Sequence, residues 1–252
     1  KSRELVITRQ VIRLDSVQST MLPGCIGYLS LSQFGNTAFT EFEEHLNRLE
    51  KEGLKGLIFD LRGNPGGYLS AAVRIVDSFV GKKEMPIVTQ RDASNRFPPQ
   101  IKKSTDKQRQ AYPIVILVNQ LSASASEIVS GALQDYKRAT IVGEQTYGKG
   151  SVQNLIDLPK KFQESLGGKA KLRLTVQYYY LPTGRSIHSK RNEHGVVIEK
   201  GCVTPDVSVK AQDIPLWRLS AADHLTKSKA YDEYLADHFA ANKELLSKLA
   251  TK

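Results

Sequence analysis

The chain has 252 residues, of which 40% are hydrophobic and 25% are charged, as in an ordinary folded protein that buries a full core. No stretch reaches the roughly 20 apolar residues that cross a bilayer, and no phosphate-binding glycine motif or cysteine–histidine metal spacing occurs. The net charge of +10 favours acidic partners or an anionic membrane surface. Because the basic residues are dispersed and no nucleic-acid-binding motif accompanies them, nucleic acid is not expected as a partner.

The first half of the chain predicts alternating strands and helices. An apolar strand over residues 25–31 is followed by hydrophobic residues at helical spacing over 39–49. A short buried strand, 57–61, ends in the glycine-rich turn 62–67, and an apolar helix follows that turn. The turn exposes backbone N–H groups, so it is either an ordinary loop or a site that binds negative charge. Residues 91–112 are mostly polar and charged, which predicts a long surface loop.

The next stretch carries three serines at the start of a helix. Residues 113–118 form a continuous apolar run, which predicts a strand buried on both faces. Ser122, Ser124 and Ser126 follow at alternate positions, and the apolar spacing behind them predicts a helix that begins near Ser124. Unpaired N–H groups at a helix N-terminus stabilise negative charge formed beside such a hydroxyl. Alternatively, Ser124 and Glu127 match the S-x-x-E capping box, in which the serine only caps its helix.

A lysine between two glycines follows the next predicted strand, residues 139–142. The sequence there is Gly148-Lys149-Gly150, and the glycines indicate that the backbone passes close to other atoms. A lysine can replace histidine as the base for a serine if burial lowers its pKa from about 10.4 towards 7–8. Beyond it, residues 170–181 alternate as in a half-exposed strand. The serine and the lysine together favour a hydrolase.

Three blocks of the sequence resemble the C-terminal processing proteases, also called tail-specific proteases, which are Ser–Lys peptidases. The blocks occur in the order that the family has: DLRGNPGG at residues 60–67, SASASE at 122–127 and GEQTYGKGSVQ at 143–153. The similarity covers most of the chain, from about residue 24 to residue 209. Three ordered blocks arise by chance far less often than one does.

The resemblance implies a fold and a set of site residues. The fold is α/β, with a crotonase/ClpP-like core of repeated strand-turn-helix units and a helical C-terminal tail. Ser124 is the implied nucleophile and Lys149 the general base, and Gln153 positions the lysine. The backbone N–H groups of Gly67 and Ala125 are the implied oxyanion hole. No metal and no cofactor are expected.

The resemblance also implies a division into domains, a class of substrate and a location. Residues 1–23 are expected to be an N-terminal strand or linker, at the point where the family has a peptide-binding PDZ domain. Residues 24–209 are the expected protease core, and 210–252 form a helical extension. The substrates implied are proteins or peptides with apolar C-terminal tails. The implied location is extracytoplasmic, in the periplasm.

Two other classes of function are weighed against the peptidase. A protein of the same fold can bind peptides, or act as a scaffold, with little or no turnover. A crotonase-like acyl-CoA enzyme places the same kind of backbone hole beside a thioester and needs no serine nucleophile. A serine–histidine hydrolase is disfavoured, because only His188 and His194 are plausibly placed and no G-x-S-x-G motif exists for them to serve.

Overall fold

The computed structural model describes residues 15–92, 94, 96–107, 109, 111–165, 170–194 and 196–209. The predicted helical extension over 210–252 and most of the predicted N-terminal segment lie outside these residues. The division into three parts therefore stays a prediction. No helix in the described ranges is long and apolar enough to cross a membrane.

Strands and helices alternate through the first two thirds of the described chain. The helices are α1 (Ala38–Lys51), α2 (Leu69–Val80), α3 (Ala125–Asp135) and α4 (Lys160–Ser165). The strands are β1 (Val17–Leu22), β2 (Ile26–Leu31), β3 (Gly56–Asp60), β4 (Pro86–Asp92), β5 (Gln100–Lys103), β6 (Ile114–Val118), β7 (Thr140–Gly143), β8 (Ser151–Asp157), β9 (Lys171–Tyr180), β10 (Lys190–Arg191), β11 (Val197–Glu199) and β12 (Val207–Ser208). The mixed α/β class is confirmed, and the crotonase/ClpP-like description of the core stays a prediction.

The main sheet has six strands in the order β1-β2-β3-β6-β7-β12. The β1–β2 pair is antiparallel, and every other neighbouring pair is parallel. The apolar spacing that predicted α1 is confirmed, because Phe39, Phe42, Leu46 and Leu49 are all buried. Phe42 packs against Phe59 of β3, with ring centroids 5.4 Å apart, so α1 is anchored on the centre of this sheet.

A second sheet has four strands in the order β5-β4-β9-β8. It corrects the prediction for residues 91–112, which are not one long loop: they complete β4 and contain β5. All four side chains of β5 are exposed, and the strand is held by antiparallel backbone pairing with β4. Because its side chains are exposed, the strand carries no apolar pattern, and it could not be recognised from hydrophobic periodicity.

The three sequence motifs meet at one edge of the main sheet. The strands β3, β6 and β7 are parallel neighbours, so their carboxyl ends lie side by side. The glycine-rich turn (62–67) follows β3, and the serine turn (119–124) follows β6. The loop that carries Lys149, called the lysine loop (144–150), follows β7. The crevice outside the carboxyl ends of parallel strands is where α/β sheets usually bind their ligands.

Candidate active site

Ser124 occupies a strained turn between β6 and α3. Its backbone angles are φ 54° and ψ −109°, a conformation that costs a residue with a side chain on the order of 1–3 kcal/mol. The side chain is half-buried, and the next residue begins the helix. A strained strand-to-helix turn of this kind exposes the nucleophile of α/β-hydrolases. No residue pattern predicted this strain, because the glycines of a G-x-S-x-G motif are absent around this serine.

The two neighbouring serines hold loops together. The Ser122 hydroxyl donates to the Leu61 carbonyl oxygen at 2.8 Å, and the Ser126 hydroxyl donates to the Asn64 carbonyl oxygen at 3.0 Å. Both serines are fully buried. They join the serine turn to the segment after β3, and of the three serines Ser124 alone is part-exposed.

Gly66 brings the glycine-rich turn directly against the serine turn. A Cβ atom at Gly66 would lie 2.8 Å from the Ser124 Cβ and 3.0 Å from the Ala125 nitrogen. The φ of Gly66 is +98°, which also disfavours any residue with a side chain. Only glycine allows the two turns to approach this closely.

The predicted oxyanion hole consists of the backbone N–H groups of Gly67 and Ala125. Ala125 is the first residue of α3, so its N–H has no acceptor within the helix. Gly67 forms a parallel bridge with Phe34 through bonds that use the Gly66 oxygen and the Tyr68 nitrogen. The N–H of Gly67 itself takes no part in that bridge. Both predicted members of the oxyanion hole therefore have an N–H group that secondary structure leaves free.

The turn after β3 is held in shape by its own polar side chains. Asn64 is fully buried; its amide nitrogen donates to the Leu31 oxygen at 2.7 Å, and its amide oxygen accepts from Gly66 N–H at 2.8 Å. Arg62 forms an ion pair with Asp60 at 2.6 Å. These contacts fix the position of the glycines relative to β3.

Lys149 lies in the β7–β8 loop with its side chain exposed to solvent. The role of Lys149 as a base was conditional on burial, and the structure does not bury its side chain. The flanking glycines do bring the backbone close to other atoms: Gly148 abuts Ser189, and a Cβ at Gly150 would lie 2.5 Å from the His188 nitrogen. Close packing is thus made by the main chain of the loop, whereas the lysine side chain is exposed.

Gln153 lies on the edge strand β8 and is also exposed. The pairing of β8 with β9 is irregular between Val152 and Gln153. Among the described residues, no hydrogen bond joins the side chains of Ser124, Lys149 and Gln153. The roles proposed for Lys149 and Gln153 therefore rest on the sequence resemblance and on where their backbone lies.

Glu127 connects the serine turn with the lysine loop. Its Oε2 accepts from the Ser124 N–H and from the Lys149 N–H, each at 2.8 Å. The S-x-x-E spacing predicted the first of these bonds, as half of a capping box. It gave no sign of the second, which depends on the fold bringing two distant segments together.

His188 packs beside the lysine loop. Its ring lies 4.7 Å from that of Tyr178, and its buried Nδ1 has no hydrogen-bond partner among the described residues. Burial lowers the pKa of His188, and the positive charge of Lys190 lowers it further. In the described part of the chain, no group of three or more His, Cys, Asp or Glu residues could hold a metal ion.

A part-exposed serine on a strained turn, beside free backbone N–H groups, is typical of hydrolases that form an acyl-enzyme. The profile of Peptidase family S41 matches residues 25–209, so the chain belongs to peptidase family S41. The resemblance to the C-terminal processing proteases, drawn from the three sequence blocks, is thereby confirmed.

Relatives of known description agree with this assignment. The chain is 36% identical, over 239 residues, to a carboxy-terminal-processing protease of Bartonella bacilliformis, covering 92% of this chain and 51% of the relative. It is 39% identical, over 191 residues, to a carboxyl-terminal-processing protease of Synechocystis sp., covering 74% of this chain and 42% of the relative. The chain spans about half the length of these relatives.

Solved structures support the fold. The photosystem II D1 C-terminal processing protease superposes with a TM-score of 0.65 at 30% identity, covering 82% of this chain and 52% of that one. A putative S41 protease from Bacteroides fragilis superposes with a TM-score of 0.60 at 16% identity, over 80% of this chain and 52% of that one. The second likeness concerns the fold alone.

Proposed function

We propose that the chain is the catalytic core of a serine endopeptidase that cleaves protein substrates at or near their C-terminal tails. The observation that carries this proposal is the strained backbone of Ser124, with φ 54°, beside the glycine-rich turn. Strain of this kind persists where the surrounding structure imposes it, and it is concentrated at functional sites. A serine that only capped its helix would not need a strained backbone.

The proposed reaction is acyl transfer through Ser124. Neutral Lys149 accepts the Ser124 proton as the hydroxyl oxygen attacks the peptide carbonyl carbon. The resulting oxyanion is stabilised by the N–H groups of Gly67 and Ala125. The C–N bond then breaks, the leaving amine takes the proton from Lys149, and water hydrolyses the acyl-enzyme by the reverse sequence. Gln153 is proposed to hold the lysine amine without adding a charge.

The exposure of Lys149 places a condition on this mechanism. An ammonium group in water holds its proton, and a general base must have lost it. A peptide bound across the lysine loop would exclude water, which favours the neutral form of an amine. We therefore propose that bound substrate completes the site by covering Lys149.

A cleft beside the lysine loop supports the preference for apolar tails. It has a volume of about 580 Å³, and its lining includes Leu121, Tyr147 and Val197 together with polar residues such as Glu144 and Lys200. Leu121 is 60% exposed and Tyr147 is 48% exposed. Such a surface suits an apolar peptide segment, and Lys200 can pair with a terminal carboxylate. A periplasmic location and an anionic membrane surface as a partner stay proposals.

The experiment is proteolysis of an unstructured peptide with an apolar C-terminal tail, with mass analysis of the products. We expect cleavage near the tail by the wild-type chain, no cleavage by Ser124→Ala, and no effect of a metal chelator. Full activity of Ser124→Ala would disprove the proposal. Binding of the peptide without cleavage by the wild type would favour the peptide-binding or scaffold function, which the exposed side chains of Lys149 and Gln153 keep open.

A further inference from the structure

The buried carboxylate of Glu127 accepts four hydrogen bonds at the junction of two loops. Oε2 accepts from the backbone N–H groups of Ser124 and Lys149, each at 2.8 Å. Oε1 accepts from the Thr146 hydroxyl at 2.5 Å and from the Gly148 N–H at 2.7 Å. The glutamate is 0% exposed, so these four donors replace water entirely.

Three of the four donors belong to the lysine loop, which is remote in sequence from Glu127. Because Ser124 N and Lys149 N bond to the same oxygen, the two nitrogens are at most twice the 2.8 Å bond length apart. The carboxylate thus sets the distance between the backbones of the proposed nucleophile and the proposed base. A helix cap alone would need only the bond to Ser124.

Thr146 links the Glu127 carboxylate to the segment around Val203. Its hydroxyl donates to Glu127 and accepts from the Val203 N–H at 2.8 Å, while its own N–H donates to the Val203 oxygen at 3.2 Å. The threonine is 6% exposed. The hydroxyl donates its proton to the carboxylate and accepts a hydrogen bond from Val203. The segment around Val203 therefore helps to fix the orientation of Glu127.

We propose that Glu127 and Thr146 are positioning residues, which hold the lysine loop against the serine turn so that Lys149 can reach the Ser124 hydroxyl. The inference rests on the proposed function of Ser124 and Lys149. Proton transfer needs the two reacting atoms within hydrogen-bond distance, and a displacement of about 1 Å costs on the order of 100-fold in rate. Among the described residues no hydrogen bond or ion pair holds the Lys149 amine, so we infer that the loop backbone sets that distance.

The test is the effect on kcat and KM of replacing the Thr146 hydroxyl. Thr146→Val keeps the side-chain shape and removes the hydrogen bond to the carboxylate, and Thr146→Ser restores a hydroxyl. We expect kcat to fall roughly tenfold in Thr146→Val, as for loss of one hydrogen bond to a charged group, with KM little changed. Thr146→Ser should recover most of the wild-type kcat. Glu127→Gln, which sets amide hydrogens against N–H donors, should lose about 100-fold.

Thr105→Val is the matched control. Thr105 donates its hydroxyl to the buried Asp77 carboxylate at 2.7 Å, the same kind of bond in another part of the molecule. Because Thr105 is exposed and Thr146 is buried, we expect this variant to lose less stability than Thr146→Val and to keep the wild-type kcat. All rates are measured on folded protein, with the folded fraction checked by circular dichroism.

The outcomes separate this inference from the proposed function. If Ser124→Ala is inactive and folded Thr146→Val keeps the wild-type kcat, the positioning role is wrong and the peptidase stands. If Thr146→Ser is no better than Thr146→Val, the hydroxyl does not carry the effect and the inference is likewise overturned. If Ser124→Ala keeps the wild-type rate, the proposed function fails, and the inference fails with it. Misfolding of Glu127→Gln leaves the decision to the Thr146 pair.

Discussion

The carboxylate of Glu127 lies 2.8 Å from the backbone nitrogen of Lys149, and the lysine side chain beyond it is exposed. The proposed base is thus fastened to the structure by its main chain. In the proposed mechanism its side chain supplies the base, and because that side chain is exposed we expect it to contribute little to folding. Substitutions at this position should therefore separate activity from stability.

Lys149→Arg and Lys149→Ala should both be inactive while melting within a few degrees of the wild type. A guanidinium keeps its proton near neutral pH and cannot act as the base, although it keeps the positive charge. An exposed side chain costs about 0.5 kcal/mol or less when replaced. The measurements are kcat/KM and Tm for the three proteins. Substantial turnover by Lys149→Arg would place the base elsewhere, with His188 the first residue to examine.

Ser124→Gly should be inactive and more stable than Ser124→Ala. Glycine adopts φ 54° and ψ −109° without the steric cost that alanine bears, so the variant should gain on the order of 1 kcal/mol relative to alanine. The comparison is made by chemical unfolding of the two inactive variants. Equal stability of the two would show that the turn is not strained in solution.

Gly66→Ala should lose activity far more than Gly63→Ala, which is its control in the same turn. A Cβ at Gly66 would lie 2.7 Å from the Ala123 oxygen and 2.8 Å from the Ser124 Cβ, whereas nothing lies within 4 Å of one at Gly63. Both glycines have positive φ, so each substitution carries a backbone cost of about 1–2 kcal/mol. We expect kcat to fall about 100-fold in Gly66→Ala only. Similar rates in the two variants would mean that the close approach of the turns does not matter for catalysis.

The stability contributed by His188 should be lost as the pH falls. Burial lowers the pKa of His188 in the folded protein, so below its ordinary value of about 6.5 the unfolded chain binds more protons than the folded one. Unfolding free energy should therefore decrease as the pH drops from that value through the lowered pKa. His188→Gln should weaken this dependence, and His194→Gln, which replaces an exposed side chain, should not. Parallel pH profiles for the wild type and His188→Gln would contradict the prediction.

The hydrophobic pattern predicted most of the core elements. The spacing from Phe39 to Leu49 gave α1, and the apolar run before the serines gave β6, because burial of one face or of both leaves a regular mark on the sequence. The polar strand β5 left no such mark, since its side chains are exposed and the main chain makes its pairing with β4. Helices and strands that bury side chains could thus be predicted from the sequence, whereas a strand with only exposed side chains could not.

The sequence motifs predicted which residues form the candidate site. They did not predict the hydrogen bonds that join its loops. Three alternate serines indicated that one of them would differ, and the structure distinguishes Ser124 by its strain and exposure. The burial that a base would require was not found at Lys149. The glycines on either side show that the backbone is crowded there, which does not indicate where the lysine side chain lies. The bond of Thr146 to Glu127 could not be predicted, since it joins segments whose meeting depends on the whole sheet.

The central claim is that Ser124 is the nucleophile, and covalent labelling tests it most directly. The chain is treated with a fluorophosphonate serine probe, digested and analysed by mass spectrometry, with and without an excess of an unstructured apolar-tailed peptide. We expect one adduct, on the peptide that contains Ser124, reduced by the competing peptide and absent in Ser124→Ala. An adduct on Ser126 or another serine, together with undiminished proteolysis by Ser124→Ala, would contradict it.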